Sequence, residues 1–270
     1  MTELFEVIYE DAELLAINKP AGLVCHPTKG DVYSSLISRV RLHVGEGTPV
    51  HLVNRLDRET SGVVLAVKGD TRVGKIKQLF AEREVSKEYL AIVHGHVSEN
   101  SGSIEAPLGK DEQAATAVKD CVRPDGSAAR TGFTVLKRFE RSIQAPVLGG
   151  GGGGFDSAFR APHSAFTLLR VHPHTGRKHQ IRIHLAYLGH PIVGDKIYGG
   201  DERLYLDFVE RKLTEAQRRQ LILPCHALHA AELRFNWLLK AWVFRAEPEP
   251  WFKDFIEGKP SKPDWAEKYL

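Results

Sequence analysis

The chain has 270 residues, of which 42% are hydrophobic and 26% charged, with a formal net charge of +3 and a pI near 8.7. That balance fits a soluble globular protein able to bury a sizeable core. It is too mildly basic to announce a nucleic-acid partner by its sum alone. Three widely spaced cysteines (Cys25, Cys121, Cys225) point to a reducing compartment rather than a disulfide framework. No signal-peptide pattern and no apolar run of roughly 18 residues occurs, so a cytoplasmic protein without membrane contact is expected.

In chain order, residues 5–10 alternate like a strand, 10–13 read as a turn and 14–19 as a second strand, making a hairpin that Pro20-Ala21-Gly22 ends. Lys19 then sits at a strand end beside a glycine-containing turn, either as a solvated terminus or as a functional cation. Residues 34–44 form a weak helix with Leu36, Ile37 and Val40 on one face.

Residues 53–68, VNRLDRETSGVVLAVK, carry the strongest local signal. Arg55, Asp57, Arg58 and Glu59 crowd together, Thr60-Ser61-Gly62 is a small polar turn, and 63–67 is a β-branched apolar run that reads as a buried strand. A charged loop abutting a buried strand can hold a reactive carboxylate on a rigid element. Asp57, between two arginines and anchored by Leu56, is the candidate. The competing reading is a turn-ending Asp paired with a surface arginine.

Asp70 or Thr71 is expected to cap a helix over 72–83, and 85–93 to form a strand ending at Gly95, with Tyr89 on the face of Ala91 and Val93. Tyr89 can be an ordinary half-buried strand tyrosine. Residues 98–131, rich in Gly, Pro, Asp and Ala, read as weakly structured. Strands are expected at 133–139 and 165–171. They flank six consecutive glycines, Gly149 to Gly154, expected to be a mobile surface loop at an expanded hairpin tip. A phosphate-cradling role for the glycines is rejected, because no Lys-Ser/Thr and no helix start follows.

Residues 174–198, HTGRKHQIRIHLAYLGHPIVGDKIY, are the second informative stretch. Thr175 is expected to be an N-cap, Ile181, Leu185 and Leu188 repeat at helical spacing, and Gly189 ends the helix before Pro191. Arg177, Lys178, His179, Gln180 and Arg182 crowd the helix start, and no acidic residue lies between Arg170 and Arg182. Such a start can bind phosphate or hold a carboxylate, with arginine suited to a bidentate contact. The alternative is a solvated basic face. Histidines at 172, 174, 179 and 184, and Cys225 with His226 and His229, raise a metal site. No CxxC or HExxH spacing supports it, and neither a metal nor a cofactor is expected. Thr214 to Gln217 reads as a capping box, 227–235 and 241–245 as a closing hairpin, and Trp251, Phe252 and Phe255 as the packing face of a terminal helix. One α+β domain built mostly of short antiparallel strands is expected.

Three stretches in order resemble the RluA family of pseudouridine synthases: Asn18-Lys19-Pro20-Ala21-Gly22-Leu23, then Arg55 through Gly62, then Thr175 through Arg182 followed by Gly189 through Asp195. Lys87-Glu88-Tyr89-Leu90-Ala91 fits between the second and third. Two features depart from the family pattern: Asn54 stands where a His usually precedes Arg-Leu-Asp, and no S4-type RNA-binding domain precedes the catalytic domain. The resemblance implies a single pseudouridine-synthase-like catalytic domain over 1–270, a mixed, mostly antiparallel β-sheet with flanking helices and a central RNA-binding cleft. It implies isomerisation of specific uridines in rRNA or tRNA. Asp57 would be the catalytic carboxylate, Tyr89 would stack on the uracil and could assist proton removal from carbon, and Arg182 would pair with Asp57. Arg55 would fill the gap left by the flipped nucleotide or fix its phosphate. Arg58, Lys19, Arg177, Lys178, His179 and Gln180 would contact substrate RNA. A monomer with RNA as partner is expected. A catalytically inactive RNA-binding protein on the same fold is the competing expectation.

Overall fold

A computed structural model of the chain describes residues 5–27, 35–45, 47–141 and 165–259. The glycine run at 149–154 lies outside these residues. Contacts divide the chain into two compact units, chiefly Met1–Leu90 with Leu228–Lys253, and Ala91–Ala227 with Asp254–Lys268.

In the first unit, β1 (Glu6–Glu10) and β2 (Leu14–Lys19) form the expected hairpin. Helix α1 (Leu36–Val44) packs on the short strand β3 (Val50–Leu52), and Ser35 caps it by accepting from the Ser38 amide. Strand β4 (Ser61–Lys68) pairs antiparallel with β2 and β3. It also pairs in parallel with β11 (Leu228–Trp237) through His229 and Ala230, and β11 closes a hairpin with β12 (Lys240–Arg245). The strand order in this unit is therefore β1-β2-β4-β11-β12. Alternation decides what each face of β4 meets. Val64 and Ala66 join Ile17, Leu36, Val40 and Leu52 in one cluster. Val63, Leu65 and Val67 join Leu14, Ile76, Phe235 and Phe244 in another. The continuous apolar run reflects burial on both sides, with α1 on one and α2 (Val73–Ala81) on the other.

Strand β5 (Ser86–His94) carries the chain into the second unit. There β10 (Ala165–Pro173) pairs antiparallel with β9 (Arg130–Glu140), as expected of the strands flanking the glycines, and β9 pairs with β6 (Ser101–Glu105). A two-stranded ribbon, β7 (Leu108–Lys110) with β8 (Asp120–Val122), completes a segment that local composition assigns to weak structure. Small and polar residues hide these strands in the sequence, because their order comes from backbone pairing with partners tens of residues away. Helix α3 (Gln180–Tyr187) packs on β8, β9 and β10. Helices α4 (Arg203–Val209) and α5 (Glu215–Leu221) follow, the latter with the expected capping box between Thr214 and Gln217. Helix α4 has no strong sequence signal; it forms by burying Leu204 and Phe208. Helix α6 (Pro250–Glu257) brings Phe255 edge-on to Phe166 at 5.1 Å, while the Arg141 guanidinium donates to the carbonyls of Phe255 and Ile256. The fold is α+β, with a mixed, mostly antiparallel set of strands and flanking helices.

Two helix starts differ from expectation. Neither Asp70 nor Thr71 caps α2; its N-cap is Arg72, with no side-chain cap bond. The Asp70 carboxylate instead sits 2.7 Å from His51 Nε2, and Arg72 reaches Glu13 and the face of Trp237. Helix α3 begins at Gln180 after His179 rather than after Thr175, because the Thr175 hydroxyl is held outside the helix by Gln180 Oε1 and the Arg130 amide. Its end is as expected: Gly189 takes φ +85°, its amide donates to Ala186 and that of His190 to Leu185, the Schellman pattern.

Candidate active site

The loop carrying Asp57 is pinned from both sides by the first unit. Asn54, where the family usually has His, bridges into β4: its amide nitrogen donates to the Val63 carbonyl at 3.1 Å and its oxygen accepts from the Leu65 amide at 2.8 Å. An asparagine offers a donor and an acceptor a short reach apart, which suits two groups of one strand. Leu56 inserts into the core beside Leu23, Cys25 and Val64. Its amide donates to Cys25 Sγ and its carbonyl accepts from the thiol, both at 3.4 Å. The Asp57 carbonyl closes the turn by accepting from the Thr60 amide. Gly62 follows at φ +112°, where an added Cβ would lie 2.2 Å from the Ala230 carbonyl oxygen, so only glycine lets β4 start against β11.

The first motif is welded to the second. Lys19 is fully buried, and its ammonium donates to the carbonyls of Pro20 and Leu23 at 2.8 Å and of Arg58 at 3.1 Å. Such a lysine has no exposed head to offer a phosphate, which corrects the RNA contact expected of it; it ties 20–23 to the Asp57 loop. Arg58 is exposed but its Nε donates to the Gly22 carbonyl at 3.1 Å. Arg55 is exposed and Asp57 is half-buried.

Tyr89, on β5, packs half-buried against the cluster that holds Leu56. Burial, reinforced by the negative charge of Asp57, pushes its phenol well above the usual tyrosine range. The hydroxyl therefore stays protonated. Asp57 and Tyr89 are thus neighbours, joined by electrostatics and by the shared core around Leu56.

In the second unit, Arg182 lies in the first turn of α3, 5% exposed, and grips Asp195 with two bonds: Nε to Oδ2 at 2.7 Å and Nη2 to Oδ1 at 2.9 Å. Asp195 Oδ1 also accepts from the amides of Ile197 and Tyr198 at 2.9 and 3.0 Å. Burial alone would raise the Asp195 carboxyl, but the Arg182 charge and these bonds outweigh it and hold the group well below the usual carboxylate range. The face of Arg182 lies over the Tyr198 ring, 5.0 Å from its centroid. Neither Asp195 nor Tyr198 was singled out by sequence reasoning. Their signal is the spacing Gly194-Asp195-x-x-Tyr198, which puts a carboxylate and a ring on one short turn.

The basic helix start divides by use. Arg177 is exposed, its Nε donating weakly to Ala128 at 3.3 Å, and Lys178 is half-exposed, 3.0 Å from Asp120 Oδ1. His179 takes the left-handed φ of 53° and bonds Tyr198 Oη through Nδ1 at 2.9 Å. Gln180 is buried, accepting from Thr175 and the Arg177 amide and donating to the Arg130 carbonyl and Thr131. Its donors and acceptor are consumed by the protein, so the RNA contact expected of it is corrected to one of shaping the loop. The histidines have other partners: His184 bonds Thr131 and the Ala106 carbonyl, His190 the His94 carbonyl, and His229 Ser61 and the Ala246 carbonyl. Among the described residues no group of three His, Cys, Asp or Glu is placed to hold a metal ion.

The model of the RNA pseudouridylate synthase family matches residues 13–187, and the chain belongs to that family. Its relatives are of the RluA type. The chain is 31% identical over 270 residues to the dual-specificity RNA pseudouridine synthase RluA of Vibrio parahaemolyticus, covering 96% of this chain and 92% of that one. It is 32% identical to the RNA pseudouridine synthase YlyB of Bacillus subtilis over 75% of this chain, spanning 60% of that protein's length. Of a similar Aquifex aeolicus synthase, 33% identical, it spans 55%. Two solved human structures share the fold: RNA pseudouridylate synthase domain containing 1 (TM-score 0.67, 21% identity, 99% and 95% of the chains) and domain containing 4 (0.66, 24%, 93% and 92%).

Proposed function

We propose that this protein is an RNA pseudouridine synthase that isomerises uridines in rRNA or tRNA, with Asp57 as the catalytic carboxylate. The observation that carries the reading is the Asp57 loop itself. Cys25, Lys19 and Asn54 hold its backbone from two strands and a turn, while the carboxylate stays half-buried beside Tyr89. A protein that spends so many contacts fixing one loop is positioning the side chain it carries. Both units are read as parts of one catalytic domain, because the family match runs through both.

In this mechanism Asp57 promotes cleavage of the bond between C1′ and N1 of uridine, as nucleophile or through a glycal-type intermediate. The uracil turns and bonds C1′ through carbon-5; the proton on that carbon is lost and N1 regains one. No electrons are exchanged, so positioning and charge suffice. Tyr89 stacks on the flipped base, whose removal from its stack the chemistry requires. Arg182 supplies the counter-charge that keeps Asp57 ionised. Arg55 occupies the place of the flipped nucleotide or fixes its phosphate, and Arg58, Arg177, Lys178 and His179 face the RNA backbone. Lys19 and Gln180 act by shaping these loops. The protein is proposed to work as a cytoplasmic monomer; its three cysteines are free thiols, in keeping with a reducing compartment. Among the described residues no helix is long and apolar enough to cross a membrane.

The test is tritium release from carbon-5-labelled uridine in substrate RNA. Asp57→Asn keeps shape and removes charge, so it should fold, bind RNA and release no tritium. Release by Asp57→Asn at a few per cent of the parent rate would remove Asp57 from the role. A parent protein that binds RNA but releases nothing would instead favour the inactive RNA-binding alternative.

A further inference from the structure

Arg182 is fixed by one short turn rather than by scattered contacts. Asp195 meets the guanidinium in its plane, Tyr198 meets its face, and the Asp195 carboxylate accepts from the Tyr198 amide, so carboxylate and ring move together. Tyr198 also packs against the cluster of Leu108, Ala129 and Ile183. Its hydroxyl has two further partners. It accepts from the Asp120 amide at 3.1 Å and bonds His179 Nδ1 at 2.9 Å. Each of those leads to the exposed loop before α3: His179 belongs to it, and the Asp120 carboxylate holds Lys178 at 3.0 Å. His179 is the residue on which α3 starts, in a left-handed conformation that non-glycine residues seldom adopt without a reason. A shift of the 177–179 loop therefore reaches the face of Arg182 through the Tyr198 hydroxyl and ring.

We infer that Tyr198 is a positioning residue that couples engagement of an anionic RNA backbone by Lys178 and His179 to the setting of the Arg182 guanidinium. The inference rests on the proposed synthase activity for its kinetic consequences but not for its physical test. A phosphate arriving at Lys178 competes with Asp120 for a half-exposed ammonium, an exchange that costs little at the surface. The exchange frees the β8 end that Tyr198 spans. With the phosphate in place the ring resets the guanidinium from the clamped position that Asp195 and Tyr198 give it here. An arginine misplaced by about 1 Å is enough for a loss of roughly 100-fold in turnover.

Tyr198→Phe keeps the ring and removes the hydroxyl that ties it to the loop; Tyr198→Leu removes both. Single-turnover pseudouridine formation should fall roughly tenfold in Tyr198→Phe and roughly 100-fold in Tyr198→Leu. RNA affinity should stay within about twofold of the parent in both, because Tyr198 touches Arg182 rather than RNA. Lys178→Ala should slow turnover at saturating RNA in the parent but not in Tyr198→Phe, where the link is already cut. The physical test uses the arginine Nε–H signal of Arg182 in nitrogen-15 spectra, assigned by its loss in Arg182→Lys. Adding a uridine-containing RNA hairpin should shift it in the parent and leave it in place in Tyr198→Phe. Equal shifts in both proteins, additive effects of Lys178→Ala and Tyr198→Phe, or a rise in Kd matching the fall in rate would each overturn the inference. If the parent makes no pseudouridine, the synthase reading fails while the spectral test still decides the coupling. If Tyr198→Leu does not fold, Tyr198→Phe carries both measurements.

Discussion

Asp195→Asn replaces one oxygen by a nitrogen and leaves the volume unchanged. The parent carboxylate is fully buried beside an Arg182 that is 5% exposed. Asparagine can keep its oxygen on the amides of Ile197 and Tyr198, but its NH2 then faces Arg182 Nε across the 2.7 Å that a charge-assisted bond now spans. Two donors oppose each other, and a buried guanidinium loses its bidentate carboxylate. Removing one partner of a buried pair costs about 3–5 kcal/mol, a large part of a total stability of about 5–15 kcal/mol. At about 2–4 °C per kcal/mol for a chain of this size, Tm should fall by roughly 6–20 °C. The acid limb changes too. Asp195 is held well below the usual carboxylate range, first against the cost of its burial and then by the Arg182 charge and bonds. The unfolded carboxyl, near ~3.9, takes up its proton first as the pH drops. The stabilisation is therefore complete above about pH 5 and is lost as the pH falls toward the folded value. Urea unfolding at pH 7 and at about pH 3.5 measures both effects: the gap between parent and Asp195→Asn should narrow in acid. A gap under about 1 kcal/mol at pH 7, or one that stays constant in acid, would refute the reasoning.

Three further outcomes follow from single contacts. Gly62→Ala puts a Cβ 2.2 Å from the Ala230 carbonyl oxygen at φ +112° and should cost more than about 4 kcal/mol, read as loss of soluble folded protein or a collapsed urea midpoint. Asn54→Ala leaves the Val63 carbonyl and Leu65 amide without their side-chain partner; a loss of about 2 kcal/mol in urea unfolding is expected, with turnover falling because the Asp57 loop slackens. Lys178→Ala should lower the slope of log affinity against log salt by about one, and an unchanged slope would show that Lys178 meets no phosphate.

The local chemistry of residues 53–68 and 174–198 was legible in the sequence, because an apolar run, a turn and a charge cluster are each decided by neighbours in the chain. So were the β1–β2 hairpin, the capping box at Thr214 and the glycine end of α3. Strands β6, β7 and β8 were not, since a Gly- and Ser-rich segment becomes a strand only when β9 or a facing ribbon supplies its hydrogen-bond partners. Helix starts were misread for the same reason: Asp70 and Thr175 look like caps, but His51 and Gln180 claim their side chains in three dimensions. Lys19 shows the limit most sharply. Its sequence neighbours suggest a solvated or RNA-facing cation, yet the Arg58 carbonyl, brought in from the next motif, helps bury it without loss. A charge in a sequence states what a group can do, and the desolvation and donors that decide what it does come from residues remote in the chain. Asp195 and Tyr198 belong to that second kind: an ordinary carboxylate and an ordinary ring, made into a clamp only because α3 lays Arg182 against them.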